Sequence, residues 1–143
     1  MELEHVKLWH ERARPVPEDK DFHIQLGCHL EEIVEMLDCF DFEKEGGVSE
    51  LRYHLNRLSN TLKNGHSRPG VKDRKGLLDA LADQIVTGVG VAHCVGLNIS
   101  EGVRRVNISN WSKFDSDGQP LRHQNGKIAK GPDYKEPDLE GLY

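Results

Sequence analysis

Cysteine is scarce: Cys28, Cys39 and Cys94 are the only ones in 143 residues. Three thiols form neither an even disulfide set nor a closely paired zinc signature, so reduced, partly buried thiols are expected. A zinc site would have to be assembled from Cys28, His29, His93 and Cys94. Positive charge is also short, with 19 Lys and Arg against 24 Asp and Glu and a net charge of −5. That balance argues against binding duplex nucleic acid, which needs a basic face. No charged-then-apolar leader opens the chain, and its longest apolar run is broken by two aspartates, which argues against a membrane span. A cytoplasmic location is the expectation, that of the host cell if the chain is phage-encoded. The Asn-x-Ser triplets beginning at Asn98, Asn107 and Asn110 then carry no sugar. No internal repeat is present.

What is present suits one domain, residues 1–143, because a chain near 150 residues buries roughly 70% of its unfolded surface. The apolar residues gather in periodic stretches. Val6, Leu8, Trp9 and Ala13 fit a short helix from Leu3 to about Ala13, which Pro15 and Pro17 end. Asp21 is placed to cap a second helix, about Phe22 to Phe40, whose Phe22, Leu26, Leu30, Ile33, Val34 and Leu37 form an apolar stripe. Leu51, Leu55, Leu58 and Leu62 mark a third, about Ser49 to Asn64. After the loop "NGHSRPG", a long apolar helix runs from about Asp73 to Val95, and a fifth covers about Ile99 to Trp111 with Val103 and Val106 as its core side. The expected fold is all-α: a bundle of about five helices with a core over about 3–111 and an irregular C-terminal arm over about 112–143. "QNGK" in that arm suits a tight turn, and the chain ends are expected to be looser.

The second helix carries Glu31, Glu32 and Glu35 within a sector about 100° wide, opposite its apolar stripe. Alone they read as a solvated face. The fourth helix changes that reading, because "LLDALADQIVTGVGVAHCVGL" holds no Lys or Arg, and Asp79 and Asp83 are its only acids. They stand one turn apart on a helix too apolar to lie in water, where two charges about 5 Å apart at an effective dielectric of about 20 repel by roughly 3 kcal/mol. Such a set needs protons, basic partners such as Arg52, Arg57 and Arg104, or divalent cations. Hard cations take carboxylate oxygens and usually substrate phosphates. Further along, "NWSKF" and "GKIAKGPDY" offer Asn110, Lys113, Lys127, Lys130 and Tyr134 among glycines, either as an ordinary tail or as a phosphate-binding arm.

Taken together, these residues resemble the MazG-like all-α nucleoside triphosphate pyrophosphohydrolases, which share a Glu-Glu-x-x-Glu helix facing a second acidic helix. Glu31, Glu32 and Glu35 match the first element. The usual second element is Glu-x-x-Asp, and Asp79-x-x-x-Asp83 departs from it, which leaves Asp83 the surer counterpart. "DALADQIV", "NWSKF" and "GKIAKGPDY" are similar to the family's phage dATP/dGTP pyrophosphohydrolase branch. Within it, the likeness is to enzymes that convert dGTP to dGMP in phages replacing adenine by 2-aminoadenine. The resemblance spans most of residues 5–138.

It implies two or three Mg²⁺ or Mn²⁺ ions per site, bound by Glu32, Glu35, Asp79 and Asp83, with Glu31 holding a further ion or positioning the attacking water. It implies a purine deoxynucleoside triphosphate as substrate, dGTP or dATP, with Lys113, Lys127 and Lys130 on phosphate and Asn110 and Tyr134 on sugar or phosphate. Trp9, His10 and Trp111 could meet the base, although a Trp in a small helical protein is more often core. Self-association as a dimer or tetramer is also implied. The competing reading is a housekeeping or non-catalytic helical nucleotide-binding or adaptor protein with a structural acidic cluster.

Overall fold

The computed structural model describes residues 2–44 and 46–143. It is all-α: α1 (Glu2–Ala13), α2 (Asp19–Asp38), α3 (Val48–Lys63), α4 (Arg74–Cys94) and α5 (Ile99–Trp111). Each is where the apolar period places it, with one shifted start. Asp21 is not the cap of α2 but its third residue; the helix begins after Glu18, whose backbone N–H donates to the Asp21 carboxylate at 3.0 Å. Asp21 thus serves as the reciprocal half of a capping box. Asp73 and Asn98 cap α4 and α5 through their side-chain oxygens, which accept from the N–H groups of Gly76 and Glu101.

The chain divides into two compact units, one of Met1–Pro15, Gly70–Leu121 and Ile128–Tyr143, the other of Val16–Pro69 and Arg122–Lys127. Each is built from segments distant in sequence.

In the first unit α1 packs on α5. Its core is Trp9, Ala13, Phe114 and Ile128. Trp9 stacks on Phe114 with ring centroids 5.7 Å apart and planes 6° from parallel. The arm is not loose: the Ser109 hydroxyl donates to the Lys135 carbonyl at 2.6 Å, Asn98 N–H to Leu142 at 2.9 Å, and Arg105 Nη1 to Asp138 at 2.9 Å and Glu140 at 3.2 Å. This binding overturns the expected core side of α5. Asn107 and Ser109 are buried and Val106 is exposed, because the arm supplies Ser109 with a polar partner.

Arg105 is itself held by Glu101, which also takes two hydrogen bonds from Arg104. Those of Arg104 and then Arg105 lower the Glu101 carboxyl to about 2. A carboxyl depressed on folding stabilises the chain fully above its unfolded value and loses that contribution as pH falls toward the folded one. The melting difference between the wild type and Glu101→Gln is therefore expected to be constant near neutrality and to shrink between about pH 5 and pH 2. A difference independent of pH in thermal melts would contradict this.

The fourth helix departs furthest from expectation. Its sequence predicts burial on most sides, yet only Ala92 is buried, while Leu78, Ile85 and Val86 on the helix and Val95 at its C-cap are 72%, 52%, 67% and 62% exposed. A helix apolar nearly all round needs cover nearly all round, and the first unit does not supply it. At ~1.5–3 kcal/mol per fully buried aliphatic side chain, these four alone leave on the order of 5 kcal/mol unrealised.

In the second unit α2 and α3 form a tightly packed helical hairpin. Gly27 sets their approach: a Cβ there would lie 2.7 Å from Lys63 Cγ and 2.8 Å from the Ser59 carbonyl oxygen. The buried Ser59 hydroxyl donates to the Gly27 carbonyl at 2.7 Å. Arg52 closes the other end, with Nε 2.9 Å from Asp38 and Nη2 donating to the Leu37 carbonyl at 3.0 Å. Gly27→Ala is expected to cost about 1–3 kcal/mol, as overpacking does where backbone must move. An unchanged denaturant midpoint would show that the helices part freely.

Candidate functional site

Glu31, Glu32 and Glu35 lie along α2 as their spacing requires. Glu31 is half-buried, and Glu32 and Glu35 are exposed. Glu31 is the end of an ion-paired cluster within the second unit. Lys63, from the last turn of α3, donates to Oε1 at 2.8 Å, and Lys127 donates to Oε2 at 3.1 Å. A helical side chain leans toward its own N-terminus. That lean carries Lys63 along α2 toward Glu31, while its stem packs on Gly27.

Lys127 is delivered by the turn read from "QNGK". His123 N–H donates to the Lys127 carbonyl at 2.8 Å, Lys127 N–H to Asn125 Oδ1 at 3.0 Å, and Gly126 takes φ +93°. Ile24 Cδ1 would lie 3.1 Å from a Cβ at Gly126, and Arg122 Nη1 reaches buried Asp21 at 3.4 Å. The turn is thus tied to α2 at both Asp21 and Glu31. The hydrogen bond from Lys63, and after it that from Lys127, holds the Glu31 carboxyl below its ordinary value against the opposing effect of burial. Burial pushes the Lys127 ammonium down, but its bond to Glu31 and the electrostatic influence of Cys28, Glu31 and Glu32 leave it raised.

The sequence offers Arg52, Arg57 and Arg104 as basic partners of the acids, whereas the partner that α3 supplies to Glu31 is Lys63. Arg52 pairs with Asp38 and Arg104 with Glu101. Arg57 lines a shallow depression along α3 with Tyr53, Asn56, Asn60, Asn64 and His66, a surface that presents no carboxylate.

In the first unit Asp79 and Asp83 are exposed on α4, not buried as expected, and neither carboxylate has an ion pair among the described residues. Among the described residues no three His, Cys, Asp or Glu side chains gather to hold a metal ion. Trp9 is buried, and its indole N–H donates to the Asn110 carbonyl at 2.8 Å, so it is a core residue. His10 forms a T-shaped pair with that ring, the centroids 4.9 Å apart. Burial, and then the Arg14 charge, lowers the His10 imidazole below its ordinary value. Trp111 is exposed and forms a T-shaped pair with Phe114. Lys113 lies 5.9 Å over Trp9, and Lys130 lies 4.4 Å over Tyr134, both within reach for a cation on an aromatic face.

Comparison with protein-family models, curated proteins and solved structures finds no match to this chain. Among the described residues no single helix is long and apolar enough to cross a membrane.

Proposed function

We propose that the chain is a metal-dependent nucleoside triphosphate pyrophosphohydrolase that converts a purine deoxynucleoside triphosphate, dGTP or dATP, to the monophosphate and pyrophosphate. The observation that carries this reading is the meeting of both charge signs on α2: a ridge of three glutamates at whose end two lysines converge on Glu31. A metal-bound polyphosphate needs carboxylate oxygens for its cations and ammonium groups for its remaining charge.

Glu32 and Glu35 on α2 of the second unit, and Asp79 and Asp83 one turn apart on α4 of the first, are hard oxygen donors of the kind that Mg²⁺ or Mn²⁺ takes. The resemblance names these four as the residues that would hold the ions. When bound, the ions supply Lewis-acid polarisation of the phosphates. The chain's own groups bind and orient. In the second unit Lys127 and Lys63 would take charge on the phosphate chain, and in the first unit Lys113 and Lys130, with Asn110 and Tyr134, are the anion and sugar groups that the resemblance implies.

The uncovered face of α4 supports self-association as a dimer or tetramer, since a second copy of an apolar helix is its natural cover. The same pairing is also what a non-catalytic, structural cluster presents, because the Glu31 carboxylate is engaged by both lysines.

A panel of deoxy- and ribonucleoside triphosphates with Mg²⁺ or Mn²⁺, assayed for pyrophosphate against orthophosphate, tests the proposal. Pyrophosphate from dGTP or dATP is expected. No release from any nucleotide would leave the structural reading, and release from pyrimidines alone would overturn the substrate.

A further inference from the structure

We propose that Lys63 and Lys127 form a clamp for a polyphosphate anion, and that Glu31 occupies this clamp in the ligand-free chain as a built-in competitor. Two ammonium groups engage the two oxygens of one carboxylate, Lys63 on Oε1 and Lys127 on Oε2. A carboxylate carries one charge, whereas a phosphate group presents more oxygens and, at neutral pH, up to two charges. The pair is therefore better matched to phosphate than to the residue it holds. The inference rests on the phosphate-binding part of the proposed function.

Both lysines are placed by built structure. The Lys63 side chain is only 12% exposed, its stem pressed against Gly27 where the Ser59 hydroxyl locks the helix crossing. Lys127 projects from a turn fixed by Asn125, Gly126 and the Arg122–Asp21 pair. Asp21 and Glu31 are ten residues apart on α2, about 15 Å along the helix, so the turn lies on the helix over that length and cannot pivot about one point. A lysine whose side chain is enclosed to this extent costs free energy when its ammonium is left unpaired. Glu31 meets that requirement when no ligand is present. Its own side chain is 31% exposed, which leaves it a route to water when phosphate displaces it.

The test is calorimetric titration of inorganic pyrophosphate into the full chain in EDTA at low ionic strength. Glu31→Gln removes the competitor's charge and is expected to tighten pyrophosphate binding about tenfold, while Lys63→Met weakens it by a similar factor and Lys63→Arg retains it. Circular dichroism checks the fold, and Glu31→Ser serves as a second removal if Glu31→Gln does not fold. Equal or weaker binding by natively folded Glu31 variants, or affinity indifferent to Lys63→Met, overturns the clamp. The nucleotide panel run on the same preparations keeps the two ideas apart. Turnover with a flat pyrophosphate series sinks the clamp alone. The expected series without turnover upholds the clamp and sinks the hydrolase.

Discussion

Glu35→Gln is expected to lower pyrophosphate release from dGTP or dATP by about 10²–10³-fold while leaving the helical circular dichroism and thermal midpoint near wild type. The magnitude follows from the several kcal/mol that a divalent cation contributes to a phosphoryl-transfer transition state, at about 1.4 kcal/mol per tenfold in rate. The sparing of stability follows from position, for Glu35 is exposed on α2, and its backbone carbonyl, which accepts the Cys39 thiol, is untouched by the change. Replacing a carboxylate by its amide keeps size and shape and deletes only charge. Steady-state rates and a melting curve on one preparation check both halves. Turnover within a few-fold of wild type would remove Glu35 from the site, and loss of fold would make the acidic ridge structural.

The second large effect concerns α4. Wild-type protein is expected to sediment above its chain mass of 16.2 kDa, and a double Leu78→Glu, Val86→Glu variant to return to that mass. Leu78 and Val86 are the most exposed aliphatic residues in the body of this helix. Placing unpaired carboxylates in an interface costs about 2–5 kcal/mol each, and in a symmetric dimer every substitution is felt twice, so association should weaken by more than about 10³-fold. Analytical ultracentrifugation over a range of concentrations reads the outcome. A monomeric wild type would mean that something other than a second copy covers α4.

The helices were legible because their signals are local. Leu51, Leu55, Leu58 and Leu62 announce α3 from spacing alone, and the Pro-rich stretch after Ala13 ends α1 as read. The start of α2 was misplaced because Glu18 and Asp21 share one capping box, in which either acid could stand for the cap. What escaped the sequence is what depends on distant partners. Nothing near Ser109 says that the Lys135 carbonyl will meet its hydroxyl, so Val106 looked like the better core residue. From sequence Lys63 is only one of the basic residues on the non-apolar faces of α3, because its partner lies 32 residues away, across a helix crossing whose closeness depends on a single glycine. The exposure of α4 was misread for a different reason: an apolar helix states that it needs cover, not which chain provides it.

The separation between the two lysines also has a consequence during synthesis. Glu31 meets Lys63 across 32 residues and Lys127 across 96. At about 5–20 residues per second, the interval between the emergence of these lysines from the ribosome is roughly 3–13 s. Through that time the α2–α3 hairpin, whose contacts are local, has what it needs to close on Glu31 with one lysine only. A nascent chain is thereby held in a half-charged form, and the full double-lysine grip on an anion arises only after the turn at Gly126 has been made.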